Sequence, residues 1–206
     1  PTTDGYVTAI LSPAEHAALL AQGYGVEVDA ARTALLTAHP QASPAQTQGI
    51  PSFPCYRTVA ETYAALAGLA AAHPALAQWV DIGDSYDKVT PDGAAGYDLF
   101  VLVLTNQAVP GPKPALFLMA AIHAREYTTA ETATRYAEYL VNQYGVDPDV
   151  TWLLDRFEIH VLPQANPDGR VIAEGGLYQR KNTNPNAATC SVPTNPGSNH
   201  IGVDLN

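Results

Sequence analysis

The sequence predicts an α/β protein in which a mixed, largely parallel sheet has helices on both faces and follows a small α+β appendage. Apolar runs typical of buried strands alternate with segments whose apolar residues recur at helical spacing. The chain has 206 residues, of which 47% are hydrophobic and 15% charged, as expected of a folded domain. A stretch rich in Pro, Ser and Gln separates a short N-terminal region from the rest.

The first 49 residues are predicted to form a strand, a helix, a second strand and a linker. Gly5–Leu11 and Tyr24–Asp29 have the composition of short strands. Between them, Ser12–Glu15 supplies a capping serine, a proline for the first turn and the glutamate of a capping box. Ala38–Pro54 lacks apolar periodicity, so we expect a domain boundary near residue 50.

Residues 50–206 carry the alternating pattern. The predicted helices are Arg57–His73 and Thr128–Tyr144, and the predicted strands are Trp79–Tyr86, Tyr97–Asn106, Ala115–Ile122 and Phe157–Gln164. Because strands that alternate with helices usually pair in parallel, both faces of the sheet should be covered. A long polar loop is expected from Asn182 onwards.

Charge and hydropathy exclude two classes of partner. Twenty acidic residues against ten basic ones give a formal net charge of -10, which disfavours a nucleic acid. The longest apolar runs are far shorter than the roughly 20 residues that a membrane-spanning helix needs. Cys55 and Cys190 could form a disulfide in an oxidising compartment or could be unrelated thiols, and the sequence leaves both readings open.

A histidine and a glutamate three residues apart follow the predicted strand Ala115–Ile122. His123 and Glu126 would therefore lie at the carboxyl end of a strand, where open α/β sheets place their functional sites. An imidazole nitrogen and a carboxylate oxygen on one turn suit Zn²⁺. The alternative is an ordinary surface turn in which Glu126 offsets the helix dipole and Arg125 pairs with a neighbouring acid.

Four motifs in a fixed order favour the metal. They are "IHAREYTTAE", "LPQANPDGR", "YQRKN" and "GVDLN", the last being Gly202–Asn206. In this order they resemble the zinc metallocarboxypeptidases of the carboxypeptidase A and B type, over about residues 55–206. The resemblance implies the N-terminal part of that catalytic domain, one zinc ion, peptide or protein C-termini as substrates, and a secreted or periplasmic protein. Residues 1–49 then take the place of an abbreviated inhibitory pro-segment, as in a zymogen.

The resemblance assigns chemical roles to four residues. His123 and Glu126 match the first two zinc ligands of the family, and Asp204 matches the carboxylate that accepts the other ring N–H of the histidine. Arg180 matches the catalytic arginine that polarises the scissile carbonyl, a task for which a multi-donor guanidinium is well suited.

Two more residues match substrate-binding positions. Asn206 is expected to bind the terminal carboxylate of the substrate, and Arg125 a more distant part of the peptide. Asn166–Gly169 is expected to form a tight turn without a chemical role. His160 is expected to be a packed strand residue, and His200 is not expected to be a ligand.

The sequence ends within the fourth motif of the family. The third zinc ligand, the general-base glutamate and the arginine of the carboxylate clamp are therefore expected beyond Asn206. We expect these 206 residues alone to bind zinc weakly, to have no meaningful turnover and to keep an exposed sheet edge. The remaining C-terminal part of the same enzyme is a candidate partner.

Two other functions are compatible with the same scaffold. A related zinc amidase would act on cell-wall peptides or acylated amino acids, and an arginine directly after the "DLN" motif would argue against it. A non-catalytic binding module would have no need to keep His123, Glu126 and Arg180 together.

Overall fold

A computed structural model describes Ala9, residues 11–31, Thr33 and residues 48–90, 95–185 and 202–205. Its helices and strands with defined ends follow in chain order. They are α1 (Pro13–Ala21), α2 (Val59–Ala72), β1 (Ala77–Asp84), α3 (Tyr86–Val89), β2 (Asp98–Leu104), β3 (Ala115–Met119), α4 (Tyr127–Gln143), α5 (Pro148–Arg156), β4 (Glu158–Leu162) and α6 (Pro167–Glu174).

The four strands form one mixed sheet in the order β1-β2-β4-β3. The β1–β2 and β2–β4 pairs are antiparallel, and the β3–β4 pair is parallel. The predicted α/β class with a mixed sheet is confirmed, but within the described residues the sheet is less parallel than expected. The connections between the strands account for the difference. Helices α4 and α5 cross over between β3 and β4, which makes that pair parallel, whereas the short connection between Asp84 and Asp98 reverses the direction of the chain between β1 and β2.

One face of the sheet carries the hydrophobic core. Leu102 and Leu104 of β2 lie beside Val161 and Ile159 of β4, because alternate residues of a strand share a face. Helices α2, α4 and α5 all contribute to this cluster. A group of three aromatic rings also holds α2 on this face. The ring of Tyr63 in α2 lies 5.6 Å from the rings of Trp79 and Phe100, which stack on each other at 4.9 Å.

The other face of the sheet is partly open. Phe117 and Met119 of β3 pair with His160 and Leu162 on that face and are 55% and 46% exposed. The second helical layer that the sequence predicts is not seen within the described residues, because their crossover and the aromatic group both place helices on the core face. Within the described part of the chain, β3 has a partner strand on one side alone, so the exposed edge that we expected is seen there.

The N-terminal region matches its prediction in part. Helix α1 has the predicted capping box, in which the Glu15 amide donates to Ser12 Oγ and the Ser12 amide donates to the Glu15 carboxylate. The second predicted strand is wrong, since Tyr24–Asp29 does not form a strand: no neighbouring strand among the described residues satisfies its backbone. The first predicted strand, Gly5–Leu11, lies largely outside the described residues. None of the described helices could cross a membrane.

Residues 48–57, here named the N-terminal strap, are anchored on the domain. The Gly49 amide donates to the Glu61 carboxylate of α2 at 2.9 Å, and Ile50 is buried. At the other end, Arg57 forms ion pairs with Glu131 and Glu138 of α4. Cys55 of the strap is exposed with a free thiol, while Cys190 lies outside the described residues, so a disulfide between them is not shown.

Candidate metal centre

The turn between β3 and α4 carries the predicted metal ligands. Ala165 donates to the carbonyl of Ala120, which continues the β3–β4 pairing to the carboxyl ends of both strands. Ala121 then adopts a left-handed conformation with a φ of 54°, which costs a non-glycine residue about 1–2 kcal/mol. The Thr129 hydroxyl holds the turn, accepting from the Ala121 amide and donating to the Glu126 carbonyl.

His123 and Glu126 converge as the spacing predicts. The ring of His123 is nearly buried at 8% exposure, and its Nδ1 lies 2.9 Å from Glu126 Oε1. Two ligands of a tetrahedral zinc ion, each bound at about 2.0–2.1 Å, are roughly 3.3 Å apart. The donor atoms therefore need to separate only slightly to fit a zinc ion between them. No group of three His, Cys, Asp or Glu residues able to hold a metal occurs within the described residues.

Asp204 and Arg180 complete the group around the histidine. Asp204 Oδ1 lies 3.3 Å from His123 Nε2, and Asp204 Oδ2 accepts from Arg180 Nε at 2.7 Å. With Asp204 beside Nε2 to accept a proton from that nitrogen, Nδ1 is the ring atom that could bind a metal together with Glu126.

Arg180 lies close to both carboxylates. Its Nη1 is 3.7 Å from Glu126 Oε1, and the hydrogen bond with Asp204 raises the pKa of the guanidinium. The structure thus brings together four of the six predicted site residues, with the positive group of Arg180 next to Glu126 and Asp204.

Asn182 and Gly202 place Asp204, and sequence reasoning missed both. The Asn182 amide donates to the Val203 carbonyl, and the Val203 amide donates back to Asn182 Oδ1 at 2.7 Å. Gly202 has a φ of +116°, and a side chain there would collide with the carbonyl of Asn182. The only signal in the sequence was the presence of a glycine and an asparagine within the two motifs.

The other two predicted site residues are not part of this group. Arg125 lies with its guanidinium carbon 4.2 Å above the centre of the Tyr178 ring. Among the described residues it forms no hydrogen bond or ion pair, so the alternative in which it pairs with a neighbouring acid is not observed there. Asn206 and His200 lie outside the described residues.

The segment Asn166–Gly169 starts helix α6, so the predicted tight turn is wrong. Asn166 caps the helix through Oδ1, which accepts from the Gly169 amide, and Pro167 fits its first turn. Asn166 Nδ2 also donates to the Ile122 carbonyl, which ties α6 to the turn of the metal ligands. Asp168 accepts from Ser85 Oγ and the Asp87 amide, and burial raises its pKa.

A buried arginine packs against the start of α4. Arg170 is fully buried, with its guanidinium 4.5 Å above the ring of Tyr127, the residue that follows Glu126. Its Nε lies 3.5 Å from Glu174, and the Tyr127 hydroxyl donates to the Ala173 carbonyl at 2.6 Å. Burial lowers the pKa of Arg170 and raises the pKa of Glu174. The sequence did not reveal this cluster, because a single arginine in a short helix usually lies in solvent.

Comparison with known proteins identifies the family of this chain. A family model described as zinc carboxypeptidase matches residues 62–206. The chain belongs to the zinc carboxypeptidase family. Carboxypeptidase A2 of Rattus norvegicus is 32% identical over 155 residues, which cover 75% of this chain and 33% of that protein. A zinc carboxypeptidase of Saccharothrix mutabilis subsp. capreolus is 32% identical over 202 residues, which cover 94% of this chain and 44% of the relative.

Two solved structures share the fold. The carboxypeptidase A of Helicoverpa armigera matches with a TM-score of 0.58 and 26% identity, over 81% of this chain and 40% of that one. Thrombin activatable fibrinolysis inhibitor matches with a TM-score of 0.60 over 73% of this chain and 33% of that one. Its identity of 23% supports a common fold alone. The chain spans about a third of the length of mammalian relatives such as the rat enzyme.

Proposed function

We propose that the full-length protein is a zinc-dependent metallocarboxypeptidase that hydrolyses C-terminal residues from peptides. The observation that carries this proposal is the convergence of His123 Nδ1 and Glu126 Oε1, with Asp204 behind the ring and Arg180 alongside. Membership of the zinc carboxypeptidase family supports it. Because the described residues bring two of the expected ligands together, we infer that the third ligand and the general base lie outside them.

Each residue of the group has a definite task in this proposal. Zinc, when bound, supplies a water of lowered pKa and polarises the scissile carbonyl. His123 and Glu126 hold the ion, and Asp204 keeps the histidine proton on Nε2. The permanently charged guanidinium of Arg180 offers N–H donors to the oxyanion. Asn206 and Arg125 are assigned to substrate binding.

Metal analysis of the full-length protein tests the assignment of the ligands. The His123→Ala variant should lose stoichiometric zinc and the release of C-terminal amino acids together. His160→Ala is the matched control, since His160 also pairs with a glutamate, at 3.2 Å from Glu158, but on the open face of the sheet. Retention of zinc by the His123 variant, or equal losses in both variants, would contradict the proposal.

A matched pair of peptides distinguishes the carboxypeptidase from a zinc amidase. One peptide ends in a free carboxylate and the other in an amide at the same residue. A carboxypeptidase prefers the free carboxylate, whereas comparable hydrolysis of both peptides would favour the amidase. Zinc binding without hydrolysis of either peptide, or of acylated amino acids and cell-wall peptides, would favour a binding module.

We further propose that residues 1–49 form a pro-segment and that the protein acts outside the cytoplasm. The S. mutabilis relative supports a common N-terminal region, since a match over 94% of the chain includes most of these residues. Cleavage before Gln48 would keep the strap on the domain, since the Gly49 amide donates to the Glu61 carboxylate. Cleavage of the full-length protein before Gln48 should increase its rate of hydrolysis, and an unchanged rate would remove this role.

A further inference from the structure

Arg125 packs on an aromatic ring, and none of the described residues accepts a hydrogen bond from its side chain. The central carbon of its guanidinium lies over the Tyr178 ring, 4.2 Å from the ring centre, which is well within the range of a cation–π contact. A contact over the face of a ring uses no acceptor, so the N–H groups of the guanidinium keep their capacity to donate. By contrast, Arg57, Arg170 and Arg180 each have a carboxylate partner. In a chain with twice as many acids as bases, an arginine with this arrangement is suited to an external acceptor.

The pair lies next to the candidate metal centre. The Ala124 amide donates to the Arg180 carbonyl at 3.0 Å, which fastens the segment of Arg125 to the segment of Tyr178. Arg125 immediately precedes Glu126, and Tyr178 lies two residues before Arg180. Both therefore project from the two segments that supply the site.

Tyr178 remains largely exposed although it packs on Arg125. Tyr178 is 56% exposed, and its neighbour Leu177 is 43% exposed. Two consecutive large apolar side chains therefore lie at the surface beside the candidate metal centre, where a ligand could contact them.

We infer that Tyr178 determines specificity for the part of a peptide substrate that precedes the cleaved bond. It holds Arg125 in position to donate to a backbone carbonyl of that part and offers its exposed ring to an apolar side chain there. This inference rests on the proposed carboxypeptidase function and adds a residue to which the family motifs assign no role. The substrates concerned are peptides that extend at least two residues before the cleaved bond.

The physical consequence depends on the length of the substrate. Without the ring, Arg125 regains rotational freedom, so a peptide that reaches it must order the side chain on binding. A substrate with a single residue before the bond does not reach Arg125 and Tyr178, so its binding should not depend on them. Tyr178 thus acts on binding and leaves the chemistry at the bond unchanged.

Two peptides with free amino termini and with the same C-terminal residue and cleaved bond test the inference in the full-length protein, since a blocking acyl group would itself offer a carbonyl to Arg125. In the shorter peptide a single glycine precedes the cleaved bond, and in the longer peptide phenylalanine and then glycine precede it. Tyr178→Ala should lower kcat/KM for the longer peptide about tenfold, mainly through KM, and change the shorter one less than about twofold. Calorimetry with non-hydrolysable analogues of both peptides should show the same difference in Kd in the metal-free protein.

Conservative and remote variants complete the experiment. Tyr178→Phe keeps the ring and should behave like the unmodified protein, and so should Trp152→Ala, which removes an exposed ring that packs on Phe157. Equal losses on both peptides, or a Tyr178→Phe variant as impaired as Tyr178→Ala, would overturn the inference. If the unmodified protein hydrolyses neither peptide, the proposed function fails, and this inference fails with it.

Discussion

At the scale of single residues, the metal group depends on side chains with two contacts each. His123 offers one ring nitrogen to Glu126 and the other to Asp204, and Asp204 reaches both His123 and Arg180. A residue with two partners is fixed in orientation, so its donor atoms are in place before a metal binds.

Truncation of the buried Arg170 should strongly destabilise the folded protein. Arg170→Ala removes the guanidinium packed on Tyr127 and leaves Glu174 buried without its partner, so the free energy of unfolding should fall by about 3–5 kcal/mol. Urea denaturation measures the change.

The matched comparison neutralises both partners. Arg170→Met with Glu174→Gln removes the two charges together and keeps an acceptor for the Val59 amide, which now donates to Glu174 at 2.8 Å. The free energy of unfolding of this double variant should be much closer to that of the unmodified protein than the value for Arg170→Ala is. Replacing a buried ion pair by neutral groups of similar volume is often tolerated. A double variant as unstable as Arg170→Ala would contradict this account.

Local signals explain why some residues could be predicted and others could not. The spacing of His123 and Glu126 after an apolar strand is visible in the sequence, and so is the capping box of Ser12. Asn182 and Arg170 act through contacts that form only after distant segments meet, with Val203 and Tyr127 respectively. No periodicity or propensity records such contacts.

At the scale of elements, two exchanged hydrogen bonds fasten the segment of Asp204 to that of Arg180. Asn182→Ala removes the acceptor of the Val203 amide, so Asp204 should lose its position beside His123. We expect zinc affinity of the full-length protein to fall about 10–100-fold, measured by competition with a chelator. Asn106→Ala is the control: the Asn106 side chain donates to Tyr144 and Asp155 and accepts from the Ala108 amide, and its loss should leave zinc affinity unchanged.

The strap should make stability depend on pH through Glu61. Burial works to raise the pKa of this carboxyl, but hydrogen bonds from Thr58 and Gly49 outweigh it and lower the pKa below 4.5. A lowered pKa contributes stability above the unfolded value that is lost as pH falls through the folded one. The destabilisation caused by Glu61→Gln should therefore be largest near neutral pH and shrink below about pH 4.5 in urea denaturation.

A second capping-box glutamate provides the control. Glu15→Gln alters the equivalent contact in α1, which has no buried residue, and should leave global unfolding unchanged. A Glu61 effect that stays constant as the pH falls would show that the carboxylate is not the stabilising form.

At the scale of the whole molecule, the described helices cover one face of the sheet and leave the other face partly open. The sequence predicts the four strands and helices α1, α2 and α4 because their signals are local, but it misses α3, α5 and α6 and misjudges how the strands pair. Pairing direction depends on which connection crosses the sheet, and Tyr97–Asn106 gives no indication of an antiparallel partner on each side. For the same reason, Tyr24–Asp29 has the composition of a strand and forms none.

The open face should promote association of these 206 residues. Phe117→Thr with Met119→Thr keeps β propensity but removes two exposed apolar side chains beside the free edge of β3. Sedimentation velocity should show less self-association than for the unmodified chain. Val146→Thr, in the exposed connection between α4 and α5, should change little; an equal effect there would argue against a role of the open face.

The left-handed Ala121 has a consequence for motion. Opening of the turn at residues 121–126 releases the strain of that residue, so the backbone there should open locally at lower free energy than the adjoining strands. A metal held by His123 and Glu126 would oppose that opening, because it binds the closed turn alone. Amide hydrogen exchange at Ala124 and Glu126 of the full-length protein should therefore slow when zinc is added, while exchange within β4 stays as it was.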